Sequence, residues 1–317
     1  MQVTFDVYRK DSGPDAQPWR STYDVDLPEH ATVTDGLLKI RDEIDGTLSF
    51  RASCLRGYCG ECLTKIGRGN RFACTARVAA VGASGPIVLN PVRVVPVIKD
   101  LVFDWDAFMW NKIKAVKPWL EAEDVDDGET VISDAAMKDL RKTMSCYYCG
   151  LCDEGCTALP EDFHFLGPAA LTKAYRFVFD PRDTQTSERL KILERPKGIW
   201  DCVHCFEASE HCPRGIEPTE RIIAMRDLAF KTGITNDRVA RHHMSFAASV
   251  KESGWVDEGR LAVESEGLTN IPGLIKLLPT AMKAVARGKA PIPYLHPKRP
   301  GADRIKRIFE KGEQNAK

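Results

Sequence analysis

The segment Cys146-Tyr-Tyr-Cys149-Gly-Leu-Cys152-Asp-Glu-Gly-Cys156 carries the most specific pattern in this chain. Its first three cysteines are separated by two residues each, so their thiolates can converge on one face of a metal cluster. The fourth follows after three residues and points away, where it can serve a second cluster. A partner run that ends in Cys-Pro should then lie elsewhere, and Cys202-Val-His-Cys205 followed by Cys212-Pro213 supplies it. The two runs together predict two clusters with crossed ligation.

Composition places the chain among ordinary globular proteins, with 317 residues of which 43% are apolar and 28% charged. The net charge is zero, and positive charge is concentrated only in the tail from Lys298 to Lys317, which argues against nucleic-acid binding. The first residues enter a strand pattern without the regions of an export signal. No apolar run approaches the ~18 residues that a membrane-spanning helix needs. We therefore expect no transmembrane segment in this chain.

The 11 cysteines are clustered along the sequence. Cytosolic thiols stay reduced, so clustered cysteines in a chain without an export signal indicate metal or redox chemistry rather than disulfides. They form three groups, with none left over: Cys54, Cys59, Cys62 and Cys74; Cys146, Cys149, Cys152 and Cys156; and Cys202, Cys205 and Cys212.

The N-terminal part, residues 1–104, has the order of a β-grasp ferredoxin. Residues 3–8 and 19–27 alternate as two strands, and Thr34 or Asp35 can cap a helix that runs to about Asp45 and buries Leu37 and Ile44. A cysteine loop follows, with the C-x4-C-x2-C…C spacing that is typical of plant-type two-iron sites. Gly57 and Gly60 suit a backbone that wraps a cluster, because glycine tolerates positive φ.

Beyond residue 104 the pattern is helical. Helices are predicted at 104–117, 168–179, 184–194 and 218–231, with an acidic linker at 121–129. The predicted fold class is α+β, with a β-grasp [2Fe–2S] domain followed by an all-α domain, residues 105–234, that carries two ferredoxin-type cysteine runs. Residues 235–317 form an extension for contact with a partner or the membrane side. Its helix at 271–285 can pack on its own domain, on a partner subunit or on a membrane surface.

Structural zinc is the alternative to iron–sulfur clusters at these cysteines. Zinc sites usually take four ligands from two Cys-x2-Cys pairs. A run of Cys-x2-Cys-x2-Cys-x3-Cys is more than zinc requires, so the pattern favours iron and sulfide.

A ferredoxin domain joined to a helical domain with these two runs resembles the iron–sulfur subunit of succinate dehydrogenase/fumarate reductase. The resemblance covers roughly residues 1–230. Further segments that agree are Pro96-Val-Ile-Lys-Asp-Leu-Val-Phe-Asp104, Gly167-Pro-Ala-Ala-Leu, Tyr175-Arg-Phe, Asp180-Pro-Arg-Asp183 and Cys212-Pro-Arg-Gly215.

The resemblance implies three cofactors with separate cysteine ligands. Cys54, Cys59, Cys62 and Cys74 would hold a [2Fe–2S] cluster, and Cys146, Cys149, Cys152 and Cys212 a [4Fe–4S] cluster. The third cluster, usually [3Fe–4S] in the family, would be held from Cys156 and Cys202.

This chain departs from the family at the third cluster, where Ala208 stands in place of a cysteine, while Cys205 is an additional thiol. We hypothesise that Cys156, Cys202 and Cys205 hold a [3Fe–4S] cluster open at the Ala208 corner. The alternative is a [4Fe–4S] cluster whose last iron takes water or a side chain such as Glu207 or Ser209.

The resemblance also bears on the partners. Quinone-reducing members carry a Trp after the position of Cys156 and a His directly after that of Cys202, where this chain has Val203, so we expect no ordinary quinone pocket here. Nearby His204 and His211 are expected to be hydrogen-bonding neighbours of a cluster rather than ligands. The extension after about residue 235 resembles the subgroup of methylmenaquinol:fumarate reductases, whose membrane-side partner is cysteine-rich.

The chain contains no phosphate-binding G-x-G-x-x-G after a strand, and no catalytic residue is assigned to it. Its expected function is electron transfer between a FAD-containing flavoprotein subunit, docked near residues 54–62, and a membrane-side quinone-reactive subunit. The expected location is peripheral, on the cytoplasmic side of the membrane, or on the periplasmic side if an exported partner carries the chain across. Two other readings stay open: an electron relay of a thiol- or heterodisulfide-linked reductase, and a non-redox zinc-binding interaction module.

Overall fold

A computed structural model describes residues 1–123, 130–289 and 298–315. Most of the predicted acidic linker, and the last two residues of the basic tail, lie outside these ranges. The strands are β1 Gln2–Arg9, β2 Trp19–Asp26, β3 Leu63–Ile66, β4 Gly69–Phe72, β5 Ile87–Asn90, β6 Val97–Lys99 and β7 Val102–Phe103. The helices are α1 Val33–Lys39, α2 Val78–Val81, α3 Asn111–Ala115, α4 Asp134–Met144, α5 Leu151–Glu154, α6 Gly167–Val178, α7 Thr186–Leu193, α8 Glu207–Glu210, α9 Pro218–Thr232, α10 Arg238–Ser253, α11 Glu258–Glu266, α12 Ile271–Ala286 and α13 Ala302–Asn315.

Strands β1 to β5 form one mixed sheet in the order β2-β1-β5-β3-β4. β1 pairs antiparallel with β2, opposing Phe5 to Tyr23, and parallel with β5, opposing Phe5 to Ile87. Alternate residues of β1 are buried, as expected for a strand with one face on the core. Helix α1 covers that face and buries Leu37. This arrangement leaves the loop between α1 and β3 free to carry Cys54, Cys59 and Cys62, while Cys74 follows β4.

The predicted cap of α1 and the predicted burial of Ile44 were wrong, whereas the helical path does run to Ile44. Its N-cap is Thr32, whose hydroxyl accepts the Asp35 N–H, while the Asp35 carboxylate accepts the Thr32 N–H. This reciprocal pair satisfies two amides that the first helical turn would otherwise leave without partners. After α1 the chain continues as a π-helix, Ile40–Ile44. The wider turn changes which side chains face the core, and Ile44 is 53% exposed rather than buried.

Between β7 and the cysteine runs, a second π-helix, Asp106–Trp110, leads into α3. Phe103, Trp105 and Phe108 pack ring against ring there, with centroids 5.1 to 5.6 Å apart. These buried aromatic side chains anchor the start of the helical part.

The structure separates into two compact units, Met1–Leu193 with Lys197–Leu228, and Glu194–Pro196 with Ala229–Lys317. The first unit contains every cysteine. In the second, Asp237, Asp257 and Asn270 cap the first turns of α10, α11 and α12. The predicted domain limits 1–104, 105–234 and 235–317 remain predictions.

Helix α12 carries an exposed apolar stripe along one side. Residues spaced by three or four positions share a helix face. On α12, five large apolar side chains with this spacing are each at least half exposed. In the described part of the chain, no helix is long and apolar enough to cross a membrane. The stripe consists of Ile271, Ile275, Leu278, Met282 and Val285.

Candidate cluster-binding sites

The first cysteine group is brought together by the hairpin of β3 and β4. Cys62 lies directly before β3 and Cys74 shortly after β4, and the Ala73 N–H donates to the Cys62 carbonyl at 3.1 Å. Burial raises the pKa of Cys62 to about 12, with smaller contributions from the side-chain hydrogen bond to Cys74 and from the charge of Cys74. The hairpin thus brings Cys74 next to the cysteines of the loop 54–62.

Backbone amides in this loop point at the sulfurs. The N–H groups of Arg56, Tyr58 and Cys59 donate to Cys54 Sγ at 3.4, 3.4 and 3.3 Å, and the Gly57 N–H donates to Cys74 Sγ at 3.1 Å. The hydrogen bond from Arg56 is the largest of the effects that lower the pKa of Cys54 to about 6. Amide donors stabilise thiolates, so this loop fits an iron–sulfur cluster.

The predicted ligands of the [4Fe–4S] cluster, taken from the second and third cysteine groups, line one pocket: Cys146, Cys149, Cys152 and Cys212. Gly150 allows the chain to turn between these ligands, because its φ of +79° is unfavourable for other residues. Burial raises the pKa of Cys149 to about 12, and the charges of Cys146 and Cys212 add to the shift. The Ile216 N–H donates to Cys212 Sγ at 3.3 Å. Four partly buried thiols around one pocket fit a four-iron cluster.

The predicted ligands of the third cluster are Cys156, at the end of the first run, and Cys202 and Cys205. Burial raises the pKa of Cys156 to about 11, and the charge of Cys202 contributes. Cys205 in turn raises the pKa of Cys202, after the larger effect of burial. Thr157 Oγ1 donates to Cys205 Sγ at 3.2 Å. Cys202 therefore interacts electrostatically with both Cys156 and Cys205, and Cys205 is exposed.

Ala208 is buried in α8, with 4% of its surface exposed, and offers no ligand atom. The two side chains considered as substitutes are held elsewhere. Ser209 Oγ donates to Glu220 Oε2 and accepts the Thr219 N–H at 3.1 Å, while the Glu207 carboxylate lies 3.7 Å from His211 Nδ1. These contacts favour a third cluster that leaves the Ala208 corner open.

Both nearby histidines make hydrogen bonds within the protein, and their role beside a cluster remains a prediction. His211 Nδ1 lies 2.8 Å from the Glu207 carbonyl, and His204 Nε2 lies 2.6 Å from Arg226 Nη1. Arg226 also donates to the carbonyls of Ile199 and Cys202, at 2.7 and 2.6 Å. This arginine fixes the backbone on both sides of Cys202. No pattern in the sequence pointed to Arg226, because it lies on α9, outside the cysteine run.

A direct contact joins the first and second cysteine loops. The rings of Tyr58 and Tyr147 stack with centroids 4.8 Å apart, and Tyr147 Oη donates to the Gly57 carbonyl at 3.2 Å. At Gly60, an added Cβ would lie 2.7 Å from Cys149 Cα. The two cluster-binding loops therefore touch through backbone and aromatic rings, which sequence spacing could not predict.

No group of three or more His, Cys, Asp or Glu side chains in residues 1–123, 130–289 and 298–315 is placed so as to hold a single metal ion. The thiolates of one zinc site all lie about 2.3 Å from the same ion, whereas a cluster core holds its cysteines on separate irons. The expected geometry of the cysteine groups is therefore that of a cluster, in which each cysteine binds its own iron.

Known proteins resemble this chain over most of its length. Residues 4–110 match the profile of a 2Fe-2S iron-sulfur cluster binding domain, and residues 142–216 match that of a 4Fe-4S dicluster domain. The fumarate reductase iron-sulfur subunit of Mycobacterium tuberculosis (strain CDC 1551 / Oshkosh) is 36% identical over 224 residues, which cover 70% of this chain and 90% of that protein. The succinate dehydrogenase iron-sulfur subunit of Paracoccus denitrificans is 36% identical over 230 residues, covering 71% and 86%.

A solved structure shares the fold. A chain of the Mycobacterium smegmatis Sdh1 complex in the apo form superposes with a TM-score of 0.64 at 23% identity, covering 73% of this chain and 97% of that one. The similarity extends over both the sheet and the helical part, so the α+β prediction is confirmed.

Proposed function

The chain belongs to the iron–sulfur subunits of succinate dehydrogenase/fumarate reductase, and from this premise we propose that it relays electrons between a FAD-containing flavoprotein subunit and a membrane-side quinone-reactive subunit. The family membership, the electron-transfer function and the presence of [2Fe–2S] and [4Fe–4S] clusters predicted from the sequence are confirmed. The choice of partners, the membrane side and the absence of a catalytic residue are parts of the proposal.

The proposed ligands are the cysteines assigned by the sequence. Cys54, Cys59, Cys62 and Cys74 hold the [2Fe–2S] cluster, and Cys146, Cys149, Cys152 and Cys212 hold the [4Fe–4S] cluster. The observation that carries the proposal is the convergence of the second set, from two distant runs, on one pocket. When bound, such clusters accept and release single electrons at potentials that their surroundings set.

For the third cluster we propose Cys156, Cys202 and Cys205 as ligands, with a [3Fe–4S] core. The mutual electrostatic effects of these thiols and the engagement of Ser209 and Glu207 elsewhere support it. Ala208→Cys should supply the missing corner and convert the oxidised three-iron electron paramagnetic resonance (EPR) signal into a four-iron signal seen on reduction. Ala158→Cys, in the turn after Cys156, serves as a control for adding a thiol nearby. An unchanged signal in Ala208→Cys would contradict this assignment.

The succinate or fumarate chemistry is assigned to the flavoprotein partner. We propose a peripheral position on the cytoplasmic side of the membrane, with residues 54–62 toward the flavoprotein and the third cluster toward the membrane-side subunit. The exposure of Leu55 and Tyr58 on the first loop supports a contact there. Residues 235–317 are proposed to contact the membrane-side partner, which we expect to be cysteine-rich.

Anaerobic purification from the native membrane tests the proposal. We expect iron and acid-labile sulfide, EPR signals from all three clusters, and a copurifying flavoprotein that interconverts succinate and fumarate. A copurifying thiol- or heterodisulfide-linked activity without dicarboxylate activity would assign the chain to another reductase. Zinc without iron or sulfide would establish the structural zinc alternative.

A further inference from the structure

Tyr147 lies between two proposed ligands of the four-iron cluster, Cys146 and Cys149, but its side chain contacts the loop of the two-iron site. The hydroxyl donates to the Gly57 carbonyl at 3.2 Å across 90 positions of sequence. The ring stacks on that of Tyr58, with the two planes 18° apart. A side chain from one cluster-binding loop therefore contacts the backbone of the other loop.

The peptide unit that Tyr147 contacts also donates to a proposed cluster ligand. The Gly57 carbonyl and the Tyr58 N–H belong to the same peptide unit, and this N–H donates to Cys54 Sγ at 3.4 Å. A hydrogen bond accepted by a carbonyl polarises its peptide unit and strengthens the hydrogen bond that the same unit donates. The Tyr147 hydroxyl thus acts on the Cys54 sulfur through a single peptide unit.

The conformation of Gly57 is fixed on both sides of its Cα atom. Its N–H donates to Cys74 Sγ at 3.1 Å, and its carbonyl accepts from Tyr147. The φ of Gly57 is +69°, and an added Cβ would lie 2.6 Å from Thr75 Cγ2. Tyr58, the next residue, is 63% exposed, and the Tyr147 ring covers one face of its ring. The orientation of the donating peptide therefore depends on a residue of the second loop.

We propose that Tyr147 is a positioning residue for the two-iron cluster, whose reduced state it favours by orienting and polarising the peptide between Gly57 and Tyr58. This inference rests on the proposed function, because it requires a [2Fe–2S] cluster bound to Cys54. One electron enters the first cluster and leaves for the second, no bond forms or breaks, and Tyr147 keeps its proton. The reduced cluster carries one more negative charge, which hydrogen bonds to its sulfurs stabilise.

The effect of the hydroxyl should be confined to the first cluster. The hydroxyl donates to the peptide that faces Cys54, whereas Cys212 in the second site accepts from the Ile216 N–H at 3.3 Å. Removing the hydroxyl should therefore change the reduction potential of the first cluster and leave that of the second. A tyrosine that only packs the two loops together would change stability without shifting this potential.

Tyr147→Phe tests the proposal, since phenylalanine keeps the ring for the stack and lacks the hydroxyl. The measurement is a potentiometric titration of the complete complex followed by EPR. We expect the equilibrium constant for one-electron reduction of the first cluster to fall about threefold, equivalent to a potential about 30 mV lower. Tyr148→Phe is the matched control. The Tyr148 ring lies against Trp110 and the Lys173 ammonium, so its hydroxyl should not affect the first potential.

A second variant changes the strength of the donor in the opposite direction. Tyr147→3-fluorotyrosine keeps the ring and the hydroxyl but is a more acidic phenol and hence a stronger donor, so the first potential should rise. An unchanged first potential in Tyr147→Phe, or in the fluorotyrosine variant if Tyr147→Phe does not assemble, would overturn the role of Tyr147 and leave the electron relay intact. The absence of a two-iron cluster from the wild-type complex would overturn both the role of Tyr147 and the proposed first cluster.

Discussion

The first and third cluster sites solve the same problem in different ways. At the first, one loop supplies three cysteines and its own amides donate to Cys54 and Cys74. At the third, the proposed ligands come from two distant segments, and a side chain, Thr157, donates to Cys205. Arg226 on α9 holds the backbone around Cys202 in place. In the first site, the amides of one loop hold two of the cysteines in position. In the third site, the positions of the cysteines depend on side chains from other segments.

Removing one ligand from each site should produce the largest effect. Cys205→Ser should abolish the EPR signal of the third cluster and leave the signals of the other two. Cys54→Ser should abolish the signal of the first cluster and leave those of the second and third. A serine hydroxyl is a much poorer iron ligand than a thiolate. Retention of the third signal in Cys205→Ser would show that Cys205 is not a ligand of the third cluster.

Thiol reactivity should distinguish loop-organised from buried cysteines by about 100-fold. In the cluster-free chain, amide hydrogen bonds lower the pKa of Cys54 to about 6, while burial raises that of Cys149 to about 12. Alkylation by iodoacetamide at pH 7 should modify Cys54 first, because the thiolate is the nucleophile.

The pH dependence of the alkylation rate shows in which direction each thiol pKa is shifted. The rate at Cys54 should level off once pH exceeds about 6, and the rate at Cys149 should keep rising toward pH 12. Peptide mapping by mass spectrometry measures both rates, with circular dichroism as a check that the chain stays folded. Equal rates at pH 7 would mean that the amides do not organise the first loop before the cluster binds.

Gly60→Ala should have a smaller effect, on stability. Its φ is +78°, and the new methyl group would meet Cys149 Cα at 2.7 Å, so the variant combines backbone strain with overpacking. Gly67→Ala is the matched control, because its φ is +59° but nothing lies within 4 Å. We expect about 1 kcal/mol for Gly67→Ala and about 2 kcal/mol more for Gly60→Ala in chemical unfolding of the cluster-loaded protein. Equal losses would show that the contact between the loops yields without cost.

The fold class was predicted correctly from the sequence because it depends on local spacing, whereas the assignment of the cysteines to clusters remains a prediction. The alternation of β1 and the interval between Cys54 and Cys62 are properties of short segments. The Arg226 hydrogen bonds and the Tyr58–Tyr147 stack could not be predicted, because each joins residues that are far apart in the sequence. The exposure of Ile44 was missed for a different reason: the π-helix changes the periodicity on which the prediction relied.

The apolar stripe of α12 has a practical consequence for handling this protein. Five large apolar side chains on one face, including Met282 at 70% exposure, are in contact with water when the chain is alone. Contiguous apolar surface of this kind promotes aggregation. The subunit expressed by itself should form soluble oligomers whose size grows with concentration and shrinks in mild detergent. Coexpression with the rest of the complex is therefore the better route to a monodisperse preparation.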